Sequence, residues 1–187
     1  MAKFLIVYGS QEGQTEKIAH HMAELFRNAN HSVDLLHGKD VSDDFNIAEY
    51  DGVVVGASIH IGKHQNYMIK FARRHSDVLA SKFSAFFSVC LTAKSDSPED
   101  KAQVEQYVED FMDACGWQPD QIGVFAGALL YTQYGLIKRY LMKSISKHMD
   151  GDTDISQDYD YTDWESVDDF AEIFLTAVNG EPVLAGD

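Results

Sequence analysis

The sequence predicts a doubly wound α/β domain with a five-stranded parallel sheet. Three observations carry this. Short apolar runs alternate with segments of helical period along most of the chain. The third apolar run is a continuous Val-Val-Val, as in a strand buried on both faces. The length, 187 residues, fits one domain with room for one insertion.

Each element follows in order. Lys3-Phe-Leu-Ile-Val-Tyr8 is a buried strand. Gln14 to Asn28 is a helix, with Ile18, Met22 and Leu25 on one face. Ser32-Val-Asp-Leu-Leu36 is a half-exposed second strand, and Asp51 to Ser58 is the third. His64 to Leu79 reads as one helix, and Lys82 to Leu91 as the fourth strand. Pro98 suits the first turn of a helix ending at Cys115. Gln121 to Ala128 is the fifth strand. The last helix begins near Thr162, where Thr162-Asp-Trp-Glu165 fits a capping box. Leu129 to Tyr161 is too long for an ordinary connection and reads as an insertion carrying its own helix, about Gly135 to Met149. The organisation is therefore one domain over 1–179, the insertion at about 129–161, and a tail at 180–187.

Hydrophobic residues make up 45% of the chain, enough for a core without disulfides. Two cysteines, Cys90 and Cys115, make no secreted framework. The first apolar run is too short for a signal peptide, and nothing approaches the roughly 18 apolar residues of a membrane span, so the expected compartment is the cytoplasm. The net charge of −15 argues against nucleic acid as a partner. That charge is unevenly placed. Between Tyr131 and Met149 stand Lys138, Arg139, Lys143, Lys147 and no acid, whereas Asp150 to Asp169 holds nine acids and no Lys or Arg.

In such a sheet, ligands bind at the carboxyl ends of the strands near the switch in strand order. The first loop there is Ser10-Gln11-Glu12-Gly13-Gln14-Thr15, which opens the first helix. Hydroxyls at Ser10 and Thr15, with helix N–H groups, suit an anion. Gln14 stands where a Walker A loop needs Lys, and no G-x-G-x-x-G is present, so the expected ligand is a monophosphate. A plain glycine-containing turn remains the alternative. The second loop holds Ser58, Ile59, His60, Gly62 and His64, suited to packing against a planar ring; as a metal pair the two histidines lack partners at ligand spacing. The third loop, Ser88, Val89, Cys90, Leu91 and Thr92, supplies backbone groups to the ring's other side, with Cys90 a buried thiol rather than a nucleophile.

Ser10 to Thr15 resembles the flavodoxin phosphate loop, [ST]-x-T-G-x-T, with Glu12 departing at the position where a hydroxyl is usual. The resemblance implies a flavodoxin-like sheet of order 2-1-3-4-5 and flavin mononucleotide (FMN) as cofactor. More closely, Glu12-Gly-Gln-Thr15, Gly56-Ala-Ser-Ile59, Ser84-Ala-Phe-Phe-Ser-Val89, Ala126-Gly-Ala-Leu129, Gly151-Asp-Thr-Asp154 and Tyr161-Thr-Asp-Trp164 resemble the FMN-containing protoporphyrinogen IX dehydrogenases. These segments run from the first strand to the last helix. The family implies oxidation of protoporphyrinogen IX in haem synthesis, with electrons passed to a membrane quinone, menaquinone or ubiquinone. It implies no catalytic side chain, because the cofactor carries the chemistry.

The insertion then gains an expected role. Ile137, Leu141, Ile145 and Met149 recur at i, i+4, with Lys138, Arg139, Lys143 and Lys147 supplying charge. Such a segment, with Tyr131 at its start, suits substrate carboxylates or an anionic membrane, giving peripheral attachment at the cytoplasmic face. An ordinary amphipathic helix packed on its own domain is the competing reading. For the whole chain, the competing readings are a flavodoxin-type electron carrier, which the acidic surface suits, and a flavodoxin-like quinone reductase.

Overall fold

The first strand, β1 (Lys3–Gly9), is buried at six of its seven positions. Its side chains alternate between two cores: Phe4, Ile6 and Tyr8 enter one, Leu5 and Val7 the other. A strand buried on both faces needs a helical layer on each side. The computed structural model describes residues 1–133 and 154–180 and shows that arrangement.

After β1 come α1 (Gln14–Asn28), β2 (Ser32–His37), β3 (Gly52–His60), β4 (Lys63–His64), α2 (Asn66–Arg74) and α3 (Ser76–Leu79). Then follow β5 (Ser84–Cys90), α4 (Pro98–Cys115), β6 (Gln121–Ala126), β7 (Ala128–Leu129), β8 (Tyr159–Asp160) and α5 (Trp164–Asn179). The parallel sheet has the order β2-β1-β3-β5-β6, which is the expected 2-1-3-4-5 once the hairpin strand β4 is set aside. The register pairs Tyr8 with Gly56 and Ala57 with Ser88, so the three site loops leave adjacent strands at one edge.

α1 and α5 cover the core of Phe4, Phe87 and Phe125; α2 and α4 cover that of Val55, Phe86 and Trp117. Gly56 is glycine because Phe87 fills the space beside it: a Cβ there would lie 2.1 Å from the ring. α4 has the limits its sequence signals suggest. The Ser97 hydroxyl accepts from the Asp100 N–H at 3.1 Å, Pro98 sits in the first turn, and Gly116 ends the helix at φ 70°.

Three expectations need correction. The helix read over His64 to Leu79 is a hairpin strand followed by two helices that meet at His75. The cause is the turn at Ile61 (φ 49°) and Gly62 (φ 72°), which reverses the chain and pairs Ile59 with His64. The cap of α5 is Asp163, not Thr162. Its carboxylate accepts from the Ser166 N–H and from the Ser166 hydroxyl, at 3.3 and 2.7 Å, while Thr162 donates instead to the Ala126 carbonyl at 3.1 Å. The fifth strand stops at Ala126, and Ala128–Leu129 leave the sheet to pair antiparallel with Tyr159–Asp160. This ribbon brings together the two ends of the stretch between Leu129 and Tyr159. The expected helix at 135–149 falls outside the described residues, as does the tail beyond Gly180.

Candidate functional site

A cavity of about 730 Å³ opens at the carboxyl edge of the sheet, within the range of small-molecule sites. One end is built from the first loop. Gly13, at φ 89°, turns the chain into α1, and no side chain caps the helix. The first bond inside it is Lys17 N–H to Gly13 O, at 3.0 Å, so the N–H groups of Gln14, Thr15 and Glu16 precede the hydrogen-bonded ladder. The Ser10 hydroxyl accepts from the Gly13 N–H at 2.9 Å, which leaves its own proton to donate. Thr15 is 1% exposed, and its hydroxyl has no partner. A buried hydroxyl beside uncapped N–H groups at a helix start is an anion cradle.

The second loop is the β3–β4 hairpin. Ser58, Ile59, His60, Ile61 and Gly62 line the cavity. The Gln65 side chain holds the hairpin's base, accepting from the Ser58 N–H at 3.1 Å and donating to its hydroxyl at 2.5 Å. The side chains of Gln11 and His60, 3.3 Å apart, join the hairpin to the first loop. Ile61 is exposed and β-branched in the left-handed region, a conformation that costs about 1–3 kcal/mol and collects at functional sites.

The third loop brings Val89, Cys90, Leu91 and Thr92 to the opposite wall. Burial pushes the Cys90 thiol up to about 11, so it is protonated and no nucleophile at neutral pH.

Of the sixteen residues expected at the cofactor, thirteen line this cavity; Gly13, His64 and Ser88 do not. Gly13 acts through its backbone. His64 and Ser88 lie beneath, bonded to each other at 2.8 Å, with the imidazole at an edge-on angle to the stacked rings of Phe86 and Phe111. They tie the hairpin to β5. Tyr131, expected near the substrate, is fully buried against Tyr159 at the ribbon. Lys138, Arg139, Lys143 and Lys147 fall outside the described residues. Among those described, no group of three or more His, Cys, Asp or Glu is arranged to hold a metal ion.

Four lining residues were not anticipated: Ile61, Tyr107, Gly127 and Ala128. Tyr107 carried a readable signal. It falls at helical spacing beside the buried stripe Val104, Val108, Phe111 of α4, half-buried at its border.

These features define a class. The chain belongs to the flavodoxin domain family, whose model matches residues 5–156. Within it, the chain is similar to a particular enzyme, protoporphyrinogen IX dehydrogenase [quinone]. The Escherichia coli K12 protein of that name is 35% identical over 170 residues, 90% of this chain and 92% of its own. The Leishmania major protein of that name is 35% identical over 173 residues, 92% of this chain and 74% of its own. Among solved structures, flavodoxin 2 from Bacillus cereus aligns with a TM-score of 0.56 and 18% identity, over 96% of this chain and 99% of that one, a likeness of fold.

The buried imidazole sets a pH dependence. Burial pushes His64 down to about 4 from an ordinary 6.5. Below pH 6.5 the unfolded chain takes up this proton while the folded chain still refuses it. Its contribution is therefore full above 6.5 and lost as pH falls toward 4, by about 3 kcal/mol. In urea unfolding, His64→Gln should flatten the loss of stability across that window; an unchanged slope would refute the assignment.

Proposed function

We propose that this protein oxidises protoporphyrinogen IX to protoporphyrin IX on bound FMN and passes the electrons to a membrane quinone. The observation that carries the reading is the cavity's two-ended chemistry, in a chain that shares 35% identity across 90% of its length with enzymes of that name. The residues present fit the cofactor. Ser10, Thr15 and the first N–H groups of α1 would hold a phosphate without a fixed cation. Ile59, Val89, Leu91 and Tyr107 offer a mostly apolar slot for a planar ring.

When bound, FMN supplies two-electron oxidation. The chain's residues bind, orient and exclude water. Cys90 and His64 stay neutral at physiological pH and bring no charge to the ring's surroundings.

At the far wall, Gly127 and Ala128 carry the cavity to the ribbon. There Leu91 packs with Leu129, Tyr131, Tyr159 and Tyr161, and the Lys94 ammonium lies 3.9 Å over the Tyr161 ring. A flat macrocycle with carboxylate arms suits an aromatic, lysine-edged wall. In this reading the basic segment Lys138 to Lys147 meets substrate carboxylates or anionic lipid, placing the protein at the cytoplasmic face of the cell membrane. No helix among the described residues is long and apolar enough to cross a membrane.

An electron carrier is the second reading, favoured by the net charge of −15. Anaerobic addition of protoporphyrinogen IX and a menaquinone analogue separates the two: porphyrin fluorescence should rise above the enzyme-free rate, and no rise removes the enzyme. Deleting 132–149 should spare FMN binding and abolish quinone-linked turnover; unchanged turnover would exclude a role for the segment. Thr15→Val should weaken FMN binding about 10-fold, by loss of one hydrogen bond to a charged group, as read by fluorescence titration. Unaltered affinity would move the phosphate elsewhere.

A further inference from the structure

Gln14 is 5% exposed, stands in the first turn of α1 and lines the cavity, yet its side-chain amide points away from the loop's own backbone. Its Nε2 donates to Asp160 Oδ1 at 2.9 Å and to Thr162 Oγ1 at 2.7 Å, across 146 and 148 residues of chain. The amide orientation is fixed by chemistry, because the Asp160 carboxylate only accepts. The receiving end is itself braced. The Thr162 N–H donates to Asp160 Oδ1 at 3.0 Å, the Thr162 hydroxyl to Ala126 O at 3.1 Å, and the Tyr161 N–H to Gly127 O at 3.2 Å. Gln14 is thus the side chain by which the phosphate loop grips the strand that returns from the insertion. Its Oε1 is buried without a partner, on a residue that borders the cavity, so a ligand hydroxyl would find an acceptor there.

We propose that Gln14 is a positioning residue: through Asp160 and Thr162 it couples occupancy of the phosphate loop to the placement of the β7–β8 ribbon, which forms the cavity's far wall. The inference rests on FMN being the ligand of that loop. An anion seated on the N–H groups of residues 14–16 fixes the first turn of α1, and a fixed Gln14 keeps both donors on the ribbon. Coupling between two sites is reciprocal, so an ordered ribbon strengthens cofactor binding by the factor with which the cofactor steadies the ribbon.

The test is amide hydrogen exchange on the full chain with and without FMN, with cofactor affinity measured alongside. In the native protein, FMN should slow exchange in the loop 10–15 and, about 10-fold, at Tyr161 and Thr162. Gln14→Leu should keep the slowing at 10–15, lose it at Tyr161 and Thr162, and bind FMN about 10-fold more weakly. Asp160→Ala should do the same from the ribbon side, without touching the loop. The double variant should be no worse than either single one, since both remove one contact. Asp160→Asn keeps an acceptor for Gln14 Nε2 and the Thr162 N–H and should behave as native. The proposal is overturned if slowing at Tyr161 and Thr162 survives Gln14→Leu, if it is missing in the native protein while 10–15 is protected, or if Asp160→Asn resembles Asp160→Ala. Absence of protection at 10–15 itself would instead bring down the FMN reading, and the coupling with it.

Discussion

The burial of β1 on both faces is the constraint from which the site follows. Parallel neighbours on each side require crossover connections, three of which are helical, so the loops after β1, β3 and β5 gather at one edge. α1 starts five residues after Gly9, and its start is built from a glycine in the left-handed region with no capping side chain. Ser97 caps α4 and Asp163 caps α5, whereas α2 and α3, like α1, have no capping side chain. At α1 the first N–H groups lie ahead of the hydrogen-bonded ladder, and the buried Thr15 hydroxyl beside them has no protein partner. An unsatisfied buried hydroxyl costs about 1–3 kcal/mol, which an anion repays through charge-assisted hydrogen bonds.

The acidic stretch that follows the basic segment finds its explanation in turns rather than in ion pairs alone. Asp154 accepts from the Ser156 N–H and hydroxyl, Asp158 from those of Thr132, Asp160 from Thr162 and Gln14, and Asp163 from Ser166. Carboxylates are short, acceptor-only groups suited to closing turns on backbone N–H donors. A region that leaves the sheet and returns to it needs many such closures.

Legibility of the sequence followed the range of the forces involved. The limits of α1 and α4 were readable because local chemistry sets them: periodic apolar faces, Pro98 and Gly116. The order of strands was readable through the resemblance of the phosphate loop, and the thirteen anticipated lining residues belong to loops that the strand-end rule marks. What escaped was set by tertiary contact. Ile61-Gly62 carries none of the Asn-Gly signal of a tight hairpin, so the hairpin hid inside an apparent helix. Thr162-x-x-Glu165 satisfied the capping-box pattern, but the Ala126 carbonyl, 36 residues earlier, claims the Thr162 hydroxyl. His64 looked like a loop residue facing a ring; the aromatic pair Phe86 and Phe111 draws it under the sheet edge instead.

That buried histidine also bears on what the site can do. Three polar groups at or beneath the ring slot are held neutral by the same cause. Desolvation pushes the Cys90 thiol up to about 11, raises the Tyr107 phenol above its ordinary value and lowers His64 to about 4. None changes charge at physiological pH, and none offers a base or nucleophile poised near 7. Charge is arranged at two places, the anion cradle at α1 and the Lys94 ammonium over Tyr161 by the ribbon. A slot that is apolar and electrically quiet along its middle, with its charged groups kept to the ends, suits a group that carries the redox step itself. The protein's own contribution to the reaction is then geometric, and rests on how firmly the hairpin, the β5 loop and the ribbon are held to one another. His64–Ser88 secures the first pair, and Gln14 with Asp160 and Thr162 secures the third to the cradle.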